Sequence, residues 1–114
     1  MTVEIEDQAG VKVVHVQGEL VGGPGSLADA VVDLLDGPGV GLVIDLADVP
    51  FMNSTGLAEL VRITAQANVQ ENRVVLARPA PFVAGVLQTT QLDRFFEVCP
   101  TVEAALVKLR GCRC

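Results

Sequence analysis

The sequence predicts a single α/β domain over residues 1–114, built on a mostly parallel sheet. Short runs of aliphatic and β-branched residues alternate with amphipathic stretches, which is the pattern of strands joined by crossover helices. Turns rich in glycine and proline separate these runs. Hydrophobic residues make up 50% of the 114 residues, so the chain can bury one core.

Two predicted strands begin the chain. The segment "VEI" near the start and the segment "VKVVHVQ", residues 11–17, are predicted to pair as a hairpin that turns at Ala9 and Gly10. Valines fall on both faces of the second strand, because side chains alternate along a strand. We therefore expect this strand to be covered on both sides.

A first helix is predicted after the break "GGPG". Ser26 is its candidate N-cap residue, and Asp29 follows three residues later. The helix would bury one stripe of side chains, namely Leu27, Val31, Leu34 and Leu35. The segment "GPGVG" ends it, and the unbroken aliphatic run "LVIDL" at 42–46 is typical of a buried parallel strand.

A second helix is predicted to run from the "NST" segment to about Gln70. Its inner stripe is predicted to contain Leu57, Leu60, Val61 and Thr64. Its outward face is predicted to carry Glu59, Arg62, Gln66 and Gln70.

The remaining elements continue the alternation. "RVVLA" at 73–77 is predicted to be a buried strand, "PAPFVAGVLQTTQL" a short helix and "FFEV" an edge strand. Thr101 is predicted to cap a last helix, whose apolar stripe is Val102, Ala105, Leu106 and Leu109. We expect six residues of the two central strands to be buried, namely Leu42, Val43, Ile44, Val74, Val75 and Leu76.

Charge excludes several classes of partner. The chain has 14 acidic and 8 basic residues, a net charge of −6, and its basic residues are scattered. Nucleic acids and anionic lipids need a basic face, so neither is an expected partner. No apolar run approaches the roughly 20 residues of a membrane span, and the acidic N-terminus lacks the features of a signal peptide. We therefore expect a cytoplasmic protein without direct membrane insertion.

The inventory of reactive side chains argues against catalysis. Cys99, Cys112 and Cys114 match neither a disulfide framework nor a zinc motif, so free thiols are expected. His15 is the one histidine and lies within a strand, so a satisfied or solvated side chain is the simpler interpretation. No metal site and no cofactor are predicted, and the chain is not expected to be an enzyme.

The segment "FMNSTGLAEL", residues 51–60, leads from a strand into a helix through two hydroxyl residues. Asn53 is a good N-cap residue, since its side-chain oxygen can accept from the amide of Thr55 or Gly56. That places Ser54 in the first turn, where the helix dipole favours an anion. The hydroxyl residues therefore either complete a helix cap or form a site of phosphorylation.

Three segments resemble the STAS domains of bacterial anti-sigma factor antagonists. "VIDLADVPFMNSTGLAEL" at 43–60 is similar to the family signature D-L-S-x-V-x-F-M-D-S-[ST]-G-L. "VQGEL" at 16–20 resembles a strand followed by G-E-L-D, and "PFVAGVLQTTQLDRFFEV" at 81–98 resembles a third family region. The resemblance covers nearly the whole chain and keeps the order of the segments.

This resemblance implies a STAS-like single domain, a mixed sheet with helices packed mainly on one face. It implies an anti-sigma factor antagonist, whose unmodified form binds an anti-sigma factor with serine-kinase activity and frees a sigma factor. Phosphorylation, here at Ser54, would switch it off. The implied partner-binding residues are Glu19, Asn53, Ser54, Thr55 and Gly56. Gly56 would leave room for the approaching partner, and the oligomeric state, a homodimer included, stays open.

Three positions depart from the family pattern. Asn53 replaces an aspartate, Val21 replaces the aspartate after G-E-L, and Gln91 replaces a glycine. The resemblance also leaves two other functions open. The chain would then be an accessory subunit of a membrane transporter for lipids, or a scaffold component in stress signalling.

Overall fold

The computed structural model describes residues 2–8, 11–20, 31, 41–69, 72–92 and 95–111. Within these residues the chain forms five strands and three helices. The strands are β1 (Thr2–Gln8), β2 (Val11–Gln17), β3 (Gly41–Asp48), β4 (Arg73–Ala77) and β5 (Glu97–Cys99). The helices are α1 (Ser54–Val69), α2 (Pro81–Thr89) and α3 (Val102–Gly111).

The strands form one mixed sheet in the order β1-β2-β3-β4-β5. β1 and β2 pair antiparallel, while β2, β3, β4 and β5 pair parallel to one another. The antiparallel pair confirms the predicted hairpin, and the parallel strands confirm the predicted crossovers. The predicted edge strand is present as β5, but it begins at Glu97, two residues later than predicted, and Phe96 before it is buried in the larger core.

Helices cover the sheet mainly on one face, as predicted. The larger core lies on the face of α1 and α2 and contains Val14, Leu42, Ile44, Leu60, Ile63, Leu76, Val83 and Leu87, among others. The smaller core lies under α3 on the opposite face and contains Val11, Val13, Val43, Val75, Ala77, Cys99, Ala105 and Leu106. The valines of β2 divide between these two cores, so this strand is covered on both sides. All six residues expected to be buried in the central strands are buried.

The buried face of α1 is rotated relative to the predicted one. Leu60 and Thr64 of the predicted inner stripe are buried, whereas Leu57 and Val61 are only partly buried. Glu59 was expected on the outward face, but only 4% of it is exposed. The buried positions of α1 are Gly56, Glu59, Leu60, Ile63, Thr64 and Ala67. The helix packs against Leu20 through Gly56, and Glu59, three residues later, lies on the same side of the helix.

Several predicted features lie outside the described residues. They are the hairpin turn at Ala9 and Gly10, Val21, most of the first predicted helix with Ser26, Leu27, Asp29, Leu34 and Leu35, as well as Gln70, Cys112 and Cys114. Val31, which belongs to that first helix, is described, and it is helical and buried in the larger core.

Candidate functional site

The segment between β3 and α1 lies along the carboxyl edge of the parallel strands. Val49 and Met52 of this segment are buried in the larger core, and their packing holds the segment in place. Phe51 points outward between them and is 38% exposed. Met52 also forms an isolated parallel bridge with Leu20, which follows β2. The residues before Ser54 are therefore held in place by packing and by a neighbouring chain segment.

Backbone hydrogen bonds join that neighbouring segment, Gly18–Leu20, to the site. The amide of Gly18 donates to the carbonyl of Asp48 (3.0 Å), and the amide of Leu20 donates to the carbonyl of Phe51 (3.0 Å). The carbonyl of Leu20 accepts from the amide of Asn53 at 3.3 Å. Gly18 has a φ of 99°, a left-handed conformation that favours glycine. These bonds hold the segment that contains the exposed Glu19 against the residues before the predicted phosphorylation site.

Asn53 caps α1 as predicted. Its side-chain Oδ1 accepts a hydrogen bond from the amide of Gly56 at 2.9 Å, and its carbonyl accepts from the amide of Leu57 at 3.0 Å. This cap begins the helix at Ser54, so Ser54 and Thr55 occupy the first turn. Both hydroxyl residues and Asn53 are exposed to solvent.

The first turn of α1 contains no acidic residue. The first amides of a helix have no partner within the helix, and the helix dipole makes this end positive. A phosphate placed on Ser54 would add about −1.5 to −2 charges at this positive end. The arrangement can therefore accept a phosphoserine without a change in the fold.

Gly56 has a different role from the predicted one. It is buried, and a Cβ atom built on it would lie 2.0 Å from the carbonyl oxygen of Leu20. A contact that short cannot exist, so a side chain here would push α1 away from the segment after β2. The explanation that this glycine leaves room for an approaching protein is wrong. It allows the start of α1 to pack against Leu20.

Sequence reasoning missed a cluster of charged side chains on the α3 face of the sheet. Asp45 is only 3% exposed. Its Oδ1 accepts from Nε of Arg78 (3.1 Å) and from the amide of Ala47 (3.1 Å). Its Oδ2 accepts from Nη2 of Arg78 and lies 2.8 Å from Nδ1 of His15. The other ring nitrogen of His15 lies 3.3 Å from Oε1 of Glu6.

This cluster shifts the pKa values of His15 and Asp45 in opposite directions. Burial tends to lower the pKa of His15, but hydrogen bonds to Asp45 and Glu6 outweigh burial, and the pKa of the imidazole is raised above 6.5. Burial tends to raise the pKa of Asp45, but its hydrogen bonds to Arg78, to the Ala47 amide and to His15 lower that pKa below 3.8. The prediction of a satisfied histidine is confirmed.

A cavity of about 430 Å³ lies beside the cluster, at the start of α3. It is lined by Glu6, His15, Arg78, Thr101, Val102 and Glu103. Asp45 was the one available signal for this region, since an aspartate inside the aliphatic run "LVIDL" needs a partner to be buried. Its side-chain partners, His15 and Arg78, come from two other segments of the chain, and no local pattern identifies them.

Metal ligation and membrane insertion find no support in the described part of the chain. Its residues contain no group of three histidine, cysteine, aspartate or glutamate side chains placed to hold a metal ion. None of the helices described is both long enough and apolar enough to cross a membrane.

Comparison with known proteins identifies the fold and the sequence pattern. The family model described as "STAS domain" matches residues 2–105. The crystal structure of an anti-sigma factor antagonist from Mycobacterium paratuberculosis is similar, with 32% sequence identity and a TM-score of 0.77. The alignment covers 96% of this chain and 93% of that one.

Two more distant structures share the fold. A candidate anti-sigma factor antagonist from Thermotoga maritima has a TM-score of 0.82 at 24% identity, with 95% of this chain and 94% of that chain covered. A sulfate transporter family protein from Wolinella succinogenes has a TM-score of 0.76 at 18% identity, with 93% and 89% covered. At these identities the two likenesses concern the fold alone.

Proposed function

Because this chain belongs to the STAS domain family, we propose that it is an anti-sigma factor antagonist that acts by partner switching. In its unmodified form it binds an anti-sigma factor with serine-kinase activity, and a sigma factor is released. The kinase phosphorylates Ser54, and the complex then separates. The protein acts in the cytoplasm as a regulator and not as an enzyme.

The exposed Ser54 hydroxyl, in the first turn of a capped helix, is the observation that carries this proposal. A kinase must reach the acceptor hydroxyl, and the fold must remain intact when the phosphate is added. The exposed position meets the first condition. The positive helix start, with its acid-free first turn, meets the second.

The same phosphate would prevent binding. An interface built for a neutral serine would have to remove water from a group with about −1.5 to −2 charges. Removing a charge from water without a matched partner costs several kcal/mol, which is enough to lower affinity by orders of magnitude. The modification therefore changes the surface that the partner meets while it leaves the core unchanged.

The proposed contact surface is the exposed edge around Ser54. Asn53 and Thr55 lie on either side of it in the chain, and the exposed Glu19 belongs to the Gly18–Leu20 segment, which is hydrogen-bonded to the residues before Ser54. Gly56 is buried, so it contributes to this surface by letting α1 pack close to Leu20. Thr55 is the second hydroxyl in the turn and serves as the alternative phosphate acceptor to be tested.

The experiment has two steps. Affinity capture from the source cell, followed by mass spectrometry, identifies the kinase-type anti-sigma factor, which is then purified. Incubation with this partner and ATP should place one phosphate on Ser54, and Thr55→Ala should still be modified. In titrations without ATP, Ser54→Ala should bind as the wild type does, and Ser54→Asp should bind at least about tenfold more weakly.

Val107→Asp is the matched control for the added charge, because Val107 is exposed on α3, on the opposite face of the sheet. It should bind as the wild type does. Equal affinity for the wild type, Ser54→Ala and Ser54→Asp, with no phosphate on Ser54, would leave only a capping role for this segment. Capture of transporter subunits in place of an anti-sigma factor would favour the accessory-subunit function.

A further inference from the structure

An aromatic pair extends the Ser54 surface toward α2. Phe51 lies three residues before Ser54, and Phe82 lies in the first turn of α2. Their ring centroids are 5.1 Å apart, and the rings are tilted by 36°. Both rings are open to solvent, with 38% of Phe51 and 48% of Phe82 exposed. The pair therefore forms a continuous apolar surface that joins the segment between β3 and α1 to helix α2.

A groove continues from this pair along α2. It has a volume of about 390 Å³ and is lined by Pro81, Phe82, Gly85, Val86, Thr89 and Thr90. None of these six residues is charged. Phe82, Gly85, Val86 and Thr89 follow the i, i+3, i+4, i+7 spacing of one helix face, while Val83 and Leu87 on the other face are buried in the larger core. One face of α2 thus holds the helix to the sheet, and the other offers an uncharged groove.

Gly85 is the residue in this groove that the fold does not explain. It lies in the interior of α2, where glycine destabilises a helix by about 1 kcal/mol relative to alanine. A Cβ atom built on it would meet nothing within 4 Å, so no contact inside the protein requires a glycine. Gly56 shows the opposite case, since packing against Leu20 excludes a side chain there. The absence of a side chain at Gly85 keeps the middle of the groove open.

We infer that this groove is the second half of the partner interface and receives an apolar side chain of the anti-sigma factor that binds around Ser54. The inference rests on the proposed function. Phe51 joins the groove to the surface around Ser54, because it lies in the segment between β3 and α1 and its ring contacts Phe82 in the groove. The uncharged lining fits an aliphatic or aromatic side chain and disfavours a charged one.

The two halves of this interface have separate tasks. The groove lies along α2 and contributes apolar contact that does not depend on the charge at Ser54. The surface around Ser54 contributes the contacts that phosphorylation of Ser54 would disrupt. Groove substitutions should therefore weaken binding by the same factor in the wild type and in Ser54→Ala, and they should leave the effect of Ser54→Asp, expressed as a ratio, unchanged.

The test is titration of the purified kinase-type anti-sigma factor with groove variants and matched controls. Gly85→Arg introduces a long charged side chain into the groove and should weaken binding at least about tenfold. Gln88→Arg places the same side chain at an exposed position of α2 outside the groove and should stay within about twofold. Gly85→Ala should raise the melting temperature through helix propensity.

Phe82→Ala provides a second probe of the groove. It should weaken binding about tenfold, as truncation of an aromatic contact at an interface does. Phe95→Ala is its matched control, because Phe95 is 42% exposed and also contacts another phenylalanine, Phe96, with ring centroids 5.2 Å apart. Phe95 precedes β5 and therefore lies at the opposite end of the parallel strands from Ser54, which follows β3. This control should bind as the wild type does.

The results separate this inference from the proposed function. If Ser54→Asp abolishes binding while Gly85→Arg and Phe82→Ala bind as the wild type does, the groove is not part of the interface and the switch stands. If the groove variants weaken binding while Ser54→Asp does not, the groove is an interface and the proposed switch fails. A wild-type chain that does not bind the anti-sigma factor at all overturns both.

Discussion

Two helix starts in this molecule share one cap geometry and differ in the charge around it. At α1, Oδ1 of Asn53 accepts from the amide three residues later at 2.9 Å. At α3, Oγ1 of Thr101 accepts from the amide of Ala104 at 3.0 Å. The first turn of α3 contains Glu103, whereas the first turn of α1 contains no acid. The start of α3 also shares a cavity with His15 and Arg78.

The difference is whether an acidic side chain already balances the positive end of the helix. The acid in α3 balances the positive end of that helix in every state of the protein. At α1 the same favourable charge is missing and two exposed hydroxyls occupy the turn. A phosphate on Ser54 would supply that charge, so modification changes α1 from the uncharged arrangement to one like that of α3. The comparison makes the proposed switch a local electrostatic event.

The largest expected effect concerns the third residue of each helix. Gly56→Ala places a Cβ atom 2.0 Å from the Leu20 carbonyl oxygen, and we expect it to lower the free energy of unfolding by about 3 kcal/mol. The matched change in α3, Ala104→Gly, should cost about 1 kcal/mol, mainly through helix propensity, because Ala104 is only partly buried against the smaller core. Urea denaturation of both variants measures the difference. Equal losses would show that α1 can move away from Leu20 without strain.

The two caps should contribute similar stability despite their different chemistry. Asn53→Ala and Thr101→Ala each remove the acceptor of one hydrogen bond, and each should lower the free energy of unfolding by about 1 kcal/mol. Asn53→Asp keeps the acceptor and adds a charge that the dipole favours, so it should be neutral or mildly stabilising. Chemical denaturation is again the measurement. An Asn53→Asp variant clearly less stable than the wild type would contradict the capping role.

Adding an acid to the first turn of α1 and removing one from the first turn of α3 should change the free energy of unfolding in opposite directions. Ser54→Asp adds an acid to the start of α1 and should raise the free energy of unfolding by about 0.5 kcal/mol. Glu103→Gln removes the acid from the start of α3 and should lower it by a similar amount. Melting curves at low and high salt test both, because salt screens this effect. A destabilised Ser54→Asp would mean that the fold does not accept charge at Ser54.

The smallest expected effect is a pH dependence that belongs to the α3 side. The raised pKa of His15 gives stability that is fully present below pH 6.5 and is lost as pH rises through the folded-state pKa. The lowered pKa of Asp45 gives stability that is present above pH 3.8, so it stays constant in this range. The free energy of unfolding of the wild type should therefore fall as the pH rises above 6.5. The decrease should be small, because the ion pairs of His15 are partly exposed and solvent weakens them.

His15→Gln is the variant that tests this assignment. It should remove the decrease above pH 6.5, whereas Ser54→Ala should retain it because Ser54 lies outside the cluster. Unfolding curves measured across this pH range give the two slopes. A decrease of equal size in His15→Gln would place its origin elsewhere in the chain.

The sequence predicted the strands, the caps of α1 and α3 and the exposed serine because each depends on neighbouring residues. A short aliphatic run favours a strand and a capping side chain begins a helix through interactions among residues that are close in the sequence. Glu59 was placed wrongly because the rotation of α1 depends on the contact between Gly56 and Leu20, which are distant in sequence. The Asp45 cluster was missed for the same reason, since Arg78 and His15 meet it only in the folded sheet.

The hydrogen bonds between the Gly18–Leu20 segment and the residues before Ser54 decide what a kinase would recognise here. Ser54 is presented by a helix start that two separate parts of the chain hold together, and not by an extended strip of sequence. A short synthetic peptide covering residues 51–60 would lack the Leu20 carbonyl and the buried anchor Val49. Such a peptide, and equally an unfolded chain, is therefore expected to be a poor substrate for the proposed kinase.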